Sequence, residues 1–233
     1  MTSPKCYYSR DTPPSMFAPR DPVIIGFART PQGKFGGALA GVSAPELGAT
    51  AIRAAVARAG IAPEAVGEVI MGLVLPAGLG QHPTRQAALG GGIPDSVPAY
   101  NINKMCGSGM KALMNAANAI RAGEHDVVVA GGMESMSRTP FLIGRQKWKP
   151  DHEGEPVDHL FHDGLCDPYH DIAMGCTGDH VAATRGVSRA ESDGFALESH
   201  RRAAHATDAG WYDNEITPVT TPHGDVTRDE GFR

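Results

Sequence analysis

The sequence lacks the features that mark several classes of protein. Its 233 residues carry a formal net charge of −5, whereas a nucleic-acid-binding domain shows an excess of basic residues. No apolar run reaches the length of a membrane-spanning helix. The first 20 residues are polar and proline-rich, without the apolar segment of a secretory signal. We therefore expect a protein that binds neither nucleic acid nor membrane, with residues 1–20 forming an extension outside the core.

Cysteine is also scarce. The four cysteines are Cys6, Cys106, Cys166 and Cys176, and no C-x-x-C pair indicates a zinc site. A chain of this length with 41% hydrophobic residues does not need disulfides to fold. We expect reduced thiols, a cytoplasmic location and no metal site. Neither of the glycine-rich nucleotide-binding motifs, G-x-G-x-x-G after the first strand or G-x-x-x-x-G-K-[ST], is present.

Between residues 21 and 137 the sequence alternates between strand and helix patterns. The apolar run from Val23 to Phe27 predicts a buried strand. Further strands are predicted within "VGEVIMGLVLP", "VPAYNIN" and "HDVVVAGG". A helix is predicted over "SAPELGATAIRAAVARAG", where Ser43 and Glu46 form a capping box and Gly60 ends the helix. This alternation predicts an α/β fold with a largely parallel sheet covered by helices.

The stretch after residue 137 is rich in Pro, Gly, His and Asp and has no clean period, which predicts a long, loop-dominated and functional segment. Helical patterns return in "IAMGCTGDHVAATRG" and "SRAESDGFALESHRRAAHATDAG", the second with a capping box of Ser188 and Glu191. "EITPVTTP" predicts a last strand, after which we expect no closing element.

Cys106 is the candidate nucleophile. It follows a predicted strand and opens a helix predicted from about Cys106 to Ala122, where unpaired N–H groups and partial positive charge favour a thiolate. The Gly-Ser-Gly that follows lets the backbone approach a bound group and offer its amides to an oxyanion. The alternative is an inert, buried structural cysteine.

The helix end alone does not activate this thiol. A helix N-terminus contributes about 0.3–1 kcal/mol, at best about 2, which is roughly one pKa unit. A free thiol is only a few per cent ionised at neutral pH. A base beside the sulfur is therefore required, and none of the ten histidines stands in a sequence setting that marks it as that base.

Six segments, in order along the chain, resemble the N-terminal part of the thiolases, the acetyl-CoA acetyltransferase family. They are "ARTPQGKFGG", "GLVLPAGLGQHPTRQAAL", "NKMCGSGMKA", "VVAGGMESMS", "DGLCDPYHDIAMG" and "SRAESDGFALESHRRA". The resemblance implies the thiolase fold, layered α-β-α-β-α in the full family. This chain would supply its N-terminal mixed-sheet half over residues 21–137 and its inserted, CoA-binding loop domain over residues 138–233.

The resemblance also implies a function and site residues. The chain would be an acyl-CoA acyltransferase of the EC 2.3.1 type in fatty acid metabolism, forming or cleaving 3-ketoacyl-CoA through an acylated Cys106. The backbone N–H of Cys106 would help form the oxyanion hole, and Leu165 and Met174 would line the pantetheine channel. CoA thioesters would be substrates, with no separate cofactor. Many members have a histidine where this chain has Ala173, which leaves the acyl-chain preference open.

Three segments of the family's second half do not occur in this sequence: Asn-Glu-Ala-Phe-Ala, a Gly-His-Pro histidine and a Cys-Gly-Gly-Gly cysteine. We expect a complementary C-terminal half-chain to supply them, making the chain one subunit of a split homo- or hetero-oligomeric enzyme. Without that half, an uncovered sheet face predicts self-association. The alternatives are a truncated or non-catalytic module that binds CoA or a partner, and a ketosynthase-type condensing enzyme, against which the "GGMESMS" turn argues.

Overall fold

The computed structural model describes residues 20–144 and 154–232. Apart from Arg20, the expected extension over residues 1–20 lies outside the described residues, and Cys6 lies there with it. Within the described ranges no helix has both the length and the apolar character needed to cross a membrane.

Three parallel strands form the central sheet. They are β1 (Glu68–Gly72), β2 (Ala99–Ile102) and β3 (Val128–Gly132), in the order β2-β1-β3. Val69 pairs with Ala99 on one side and with Val129 on the other. These strands confirm three of the four predicted strands and the α/β class. Their carboxyl ends share one edge of the sheet, which is the edge where functional groups gather in such folds.

Three helices cover this sheet: α1 (Ala44–Ala59), α2 (Pro83–Gly90) and α3 (Ser108–Ala122). The predicted cap of α1 is confirmed, because Ser43 and Glu46 bond reciprocally and Gly60 ends the helix in the left-handed conformation. Such a box satisfies two N–H groups that the first helical turn leaves unpaired.

Helices pack against both faces of the sheet, which corrects the expectation of an uncovered sheet face; β1 is buried, whereas β2 and β3 are mostly half-buried. Val69 and Met71 point into a cluster with α1 and α2 that includes Ile52 and Val56. Ile70, between them, packs against α3 instead, as the two-residue period of a strand requires. The uncovered apolar surface belongs to the outer side of α3, where three large side chains are exposed: Met110, Leu113 and Met114.

The predicted strand from Val23 to Phe27 is wrong. These residues form no strand in the described part of the chain, and Val23, Ile24, Ile25 and Phe27 are all exposed. Strand-like pairing begins only at Arg29, which bridges to Ile216. An apolar run indicates that a segment tends to be buried, but no strand among the described residues pairs with this one.

The rest of the described chain consists of short strands, two helices and single turns. Two 3₁₀ turns and one π-helical turn occur at Pro63–Ala65, Met136–Arg138 and Leu160–Leu165. The helices are α4 (Met174–Arg185) and α5 (Arg189–Asp208), both as predicted. The strands form antiparallel pairs: β4 (Phe141–Leu142) with β5 (Val157–Asp158), β6 (Cys166–Asp167) with β7 (Ile172–Ala173), and β8 (Val219–Thr221) with β9 (Gly224–Val226).

The C-terminal segment returns to the first half of the chain. Arg29 donates to Glu215 at 2.7 Å and to both carboxylate oxygens of Asp229 at 2.7 and 2.9 Å. The Glu230 carboxylate accepts from the backbone N–H groups of Lys34 and Ala38. The expectation that no closing element follows "EITPVTTP" is therefore wrong. The division of the chain at residues 137 and 138 stays a prediction.

Candidate active site

Cys106 lies in the turn between β2 and α3, at the carboxyl edge of the sheet. The helix begins at Ser108, and Gly107 is its N-cap residue, so Cys106 precedes the cap instead of opening the helix as predicted. The reason is Met105, whose φ of 49° is left-handed and turns the chain before the helix can start. A left-handed conformation at a residue other than glycine costs about 1–3 kcal/mol and persists only where neighbours hold it.

Two polar side chains hold this turn. The side-chain oxygen of Asn103 accepts from the Met105 N–H at 2.9 Å. The Ser108 hydroxyl accepts from the Lys104 N–H at 2.8 Å and donates to the Met105 carbonyl at 2.6 Å. Sequence reasoning missed both residues, although Asn and Ser beside a turn are the types that bond to nearby backbone.

Glycines let the start of α3 rest directly on the sheet. A Cβ atom at Gly72 would lie 2.5 Å from the backbone nitrogen of Gly109 and from the carbonyl carbon of Ser108. A Cβ at Gly132 would lie 3.4 Å from the Gly109 Cα. The backbones of β1, β3 and α3 therefore touch, and this contact fixes the turn that carries the thiol.

The Cys106 side chain is a free, exposed thiol. An α-helix leaves about four N–H groups unpaired at its start. Here the Gly107 N–H donates to the Lys104 carbonyl at 3.2 Å and the Ser108 N–H to the Met105 carbonyl at 2.9 Å. Cys106 is therefore not buried among the described residues, and its role as nucleophile stays a prediction. The oxyanion role of the Cys106 N–H stays a prediction.

The histidines closest in sequence to the predicted channel residues are engaged with carboxylates. His159 and His162 lie 2.6 and 2.8 Å from the carboxylate oxygens of Asp163. His170 lies 2.5 Å from Asp167. These three histidines contact carboxylates, and the location of the base for Cys106 stays a prediction.

A half-buried acid, Glu134, is linked through Val74 to the Cys106 turn and was missed from the sequence. The Glu134 carboxylate accepts from the backbone N–H groups of Val74 at 2.9 Å and Leu75 at 3.2 Å. The Val74 carbonyl in turn accepts from the side-chain amide of Asn103 at 3.3 Å. Burial raises the pKa of Glu134, while the two N–H groups act in the opposite direction. Glu134 and Asn103 together join the end of β1 to the turn of Cys106.

Leu165 and Met174, the predicted channel residues, are brought together by a small hairpin. Cys166 pairs with Ala173 in antiparallel register, so Leu165, just before that pair, stands opposite Met174, just after it. Both side chains are partly exposed. The segment rests on the end of β1, because a Cβ at Gly164 would lie 3.3 Å from the Leu75 Cδ2 atom. The structure thus places Gly164, the residue before Leu165, near Leu75, three residues after β1, while the roles of Leu165 and Met174 stay predictions.

No metal centre is found in residues 20–144 or 154–232, since no group of three or more His, Cys, Asp or Glu side chains there is arranged to hold an ion. This observation does not test the expectation that the protein has no metal site, which stays a prediction.

Comparison with known proteins places the chain in a family. The family model of the thiolase N-terminal domain matches residues 22–233. The acetyl-CoA acetyltransferase of Cupriavidus necator is 51% identical over 203 residues, which cover 87% of this chain and 52% of that protein. The probable acetyl-CoA acetyltransferase of Escherichia coli is 48% identical over the same coverage.

A probable acetyl-CoA acyltransferase of Staphylococcus aureus is 44% identical over 218 residues, which cover 91% of this chain and 55% of that protein. The chain therefore spans about half the length of the curated relatives it matches. The chain belongs to the thiolase family, and it carries that family's N-terminal domain.

Proposed function

We propose that this thiolase-family chain carries the acyl-accepting part of an acyltransferase site and that Cys106 is its nucleophile. The observation that supports this most is the exposed Cys106 thiol in a turn fixed by Asn103, Ser108 and the Gly72 contact. A strained turn that presents a free thiol at the carboxyl edge of a parallel sheet suits attack on a bound carbonyl.

The proposed reaction forms and then breaks one thioester to the protein. The Cys106 sulfur attacks the 3-keto carbonyl of a 3-ketoacyl-CoA. The bond between C2 and C3 breaks, and the departing enolate takes a proton to become acetyl-CoA. Attack by the thiol of free CoA then releases the shortened acyl-CoA and returns the cysteine. The reverse sequence joins two acyl-CoA molecules, and the Cys106 N–H would stabilise the oxyanion in each attack.

The base for these steps is proposed to lie outside this 233-residue sequence. Helix N-termini in general contribute only about 0.3–1 kcal/mol to a nearby anion, and Cys106 precedes the N-cap of α3, so a separate base is needed. A complementary C-terminal half, either continuous with this sequence or on a second chain, would supply the base and the second cysteine. The exposed outer side of α3 and the uncovered residues 23–27 are the surfaces this half or a second copy would cover. A cytoplasmic location stays part of the proposal.

Leu165 and Met174 are proposed to contact the pantetheine arm. Their side chains are apolar and partly exposed on one hairpin, which suits a flexible chain of methylene and amide groups. Ala173, next to Met174, is half-buried and supplies no polar group. We expect the acyl preference to differ from that of members with histidine at this place.

Acylation of Cys106 tests the proposal. The natural protein is incubated with acetyl-CoA or acetoacetyl-CoA, quenched in acid, digested and analysed by mass spectrometry. The acyl group is expected on the peptide that contains Cys106, lost in Cys106→Ser and retained in Cys176→Ser, the matched control with a second exposed thiol. Acylation elsewhere, or none in the natural protein, would refute the nucleophile.

A second candidate function is a non-catalytic, CoA-binding or partner-binding module. It is favoured by the coverage of only about half of each relative. Binding of CoA in calorimetry without acylation of Cys106, with every natural partner present, would support this reading over the first.

A further inference from the structure

The Glu134 carboxylate pairs with the two backbone N–H groups that follow the paired part of β1. Leu73 still pairs with the neighbouring strand, because its N–H donates to the Ile102 carbonyl at 3.1 Å. The next two N–H groups, those of Val74 and Leu75, donate to the two oxygens of Glu134 at 2.9 and 3.2 Å. Both carboxylate oxygens are thus engaged, and Glu134 continues the hydrogen bonding of β1 where the strand pairing stops.

The backbone that carries Glu134 is fixed to the same end of β1. The N–H of Met133 donates to the Gly72 carbonyl at 3.0 Å. The Met133 side chain is buried in the cluster that β1 forms with α1 and α2, and Glu134 itself is half-buried. These contacts restrict where the carboxylate can lie, so that it can anchor the residues bonded to it.

Three hydrogen bonds in series lead from this carboxylate to the residue before Cys106. The first joins the Val74 N–H to Glu134. In the second, the Val74 carbonyl accepts from the side-chain amide of Asn103 at 3.3 Å. In the third, the side-chain oxygen of Asn103 accepts from the Met105 N–H at 2.9 Å. An asparagine amide both donates and accepts, and hydrogen bonds in a chain reinforce one another.

Met105 is the residue at which this support matters. Its left-handed φ of 49° persists in a residue other than glycine only where neighbours hold it. Ser108 supports the turn from the helix side, and Asn103 supports it from the strand side. Asn103 is exposed, so its bond to Val74 is what keeps its side chain in place for Met105. Loss of the anchor at Glu134 is therefore expected to loosen the Met105 turn.

We propose that Glu134 is a positioning residue for the Cys106 nucleophile, acting through Val74 and Asn103 to hold Met105 in its left-handed conformation. Because both of its oxygens are engaged by backbone N–H groups, its part is to place the thiol and not to exchange a proton with it. This role in catalysis rests on the proposed function, because it takes Cys106 as the nucleophile.

Hydrogen–deuterium exchange tests the link without acyl-CoA chemistry. Glu134→Gln keeps one acceptor oxygen but sets an amide donor against the other backbone N–H group, so one of the two bonds is lost. Exchange in the natural protein and in this variant is followed by mass spectrometry for peptides covering residues 103–108. We expect the Met105 amide to become about fivefold less protected in the variant, while peptides of α1 keep their protection, which excludes general unfolding.

Glu68→Gln is the matched control, because Glu68 is a half-buried acid at the opposite end of β1. It is expected to leave exchange in residues 103–108 unaltered. Should Glu134→Gln fail to fold by circular dichroism, Asn103→Asp tests the same link, since an ionised Asp keeps an acceptor for the Met105 N–H but has no donor for the Val74 carbonyl. Unchanged protection of Met105 in the folded variant, Glu134→Gln or in its place Asn103→Asp, overturns the inference.

Kinetics test whether Glu134 and Asn103 act in series on the thiol. Glu134→Gln is expected to lower kcat about tenfold and to leave KM within about twofold, with the shape of the pH profile unchanged because no proton-transfer group is removed. Asn103→Ala is expected to lower kcat by a similar factor, and the double variant by no more than either single one. Effects that multiply in the double variant would show that the two residues act independently and would overturn the inference.

The two measurements also separate this inference from the proposed function. If Cys106 is never acylated, the proposed function fails, while the exchange result still decides whether Glu134 holds the turn. If Cys106 is acylated but Glu134→Gln leaves the exchange of Met105 unchanged, the inference about Glu134 alone fails.

Discussion

The helices of the sheet-bearing part and the helices α4 and α5 are held in different ways. Helix α1 buries six residues, among them Ile52 and Val56, and α3 buries four. Helix α4 buries none, and α5 buries only Ala206. The apolar side chains of α4 and α5 are instead exposed: Val181, Phe195 and Leu197.

The difference shows that α1 and α3 are held by packing, whereas α5 depends on local signals within the described residues. Helix α5 has a capping box at Ser188, and ion pairs at i, i+4 spacing join Arg189 to Asp193 and Glu198 to Arg202. Such pairs contribute about 0.3–0.5 kcal/mol each, enough to favour a helix but not to fix its place. We infer that α5 takes a fixed position only when another part of the protein packs against its exposed side.

The largest expected contrast comes from truncating one apolar side chain in each part. Ile52→Ala removes a side chain that is 2% exposed and is expected to lower the free energy of unfolding by about 2–5 kcal/mol. Leu197→Ala on α5 is expected to change it by less than about 0.5 kcal/mol. Urea unfolding followed by circular dichroism measures both, and equal losses would contradict the comparison.

A methyl group on glycine gives the next contrast. Gly72→Ala puts a Cβ 2.5 Å from the backbone of α3, which cannot move aside without moving the turn, and is expected to cost about 3 kcal/mol. Gly178→Ala on α4 meets no atom within 4 Å. It is expected to stabilise by up to about 1 kcal/mol through helix propensity. Loss of stability in the Gly178 variant would show that α4 is packed after all.

Removal of one carboxylate from each part tests the ion pairs and their pH dependence. Asp229 is half-buried, which alone would raise its pKa, but Arg29 and the Gln32 N–H hold its pKa below the usual range. The stabilisation is therefore complete above the unfolded pKa of about 3.9 and lost as pH falls through the folded value. Asp229→Asn is expected to cost about 2 kcal/mol at neutral pH.

The difference in free energy of unfolding between Asp229→Asn and the natural protein should then become smaller below about pH 3.9. Urea unfolding at a series of pH values measures this difference. Asp193→Asn, from the exposed pair on α5, is the matched control and should leave stability within about 0.5 kcal/mol at every pH. A gap for Asp229 that persists unchanged in acid would contradict the assignment.

The smallest contrast uses the two capping boxes. Ser43→Ala and Ser188→Ala remove the same hydrogen bond from α1 and α5, each worth about 1 kcal/mol. Because α1 is also held by packing, we expect the first change to lower global stability and the second to fray α5 alone. Hydrogen exchange at the start of each helix distinguishes the two, and a global effect of Ser188→Ala would show that α5 unfolds with the core.

Sequence reasoning succeeded where local chemistry decides the structure. The boxes at Ser43 and Ser188 and the three parallel strands follow from short-range patterns. The strand expected at residues 23–27 failed because an apolar run reports a need for burial, not the presence of a covering neighbour. The return of Asp229 to Arg29 spans 200 positions, and no local pattern predicts such a pairing.

The candidate site could be predicted only in part, because some of its contacts are local in sequence and others join distant segments. Cys106 was identified from its glycines and from resemblance, but the helix was expected to begin two residues too early because the left-handed Met105 has no strong sequence signal. The sequence assigns no role to Glu134 of "VVAGGMESMS", because its hydrogen bonds to Val74 and Leu75 form only when β1 and β3 lie side by side.

The central claim is that Cys106 is the nucleophile and that a complementary half supplies its base. The most direct test is the acylation of Cys106, measured by mass spectrometry in the presence and in the absence of that complementary half. The account predicts that acetyl-CoA labels the Cys106 peptide, and that labelling is much slower when the complementary half is absent. An unlabelled Cys106 in the complete protein, or equally fast labelling without the complementary half, would contradict it.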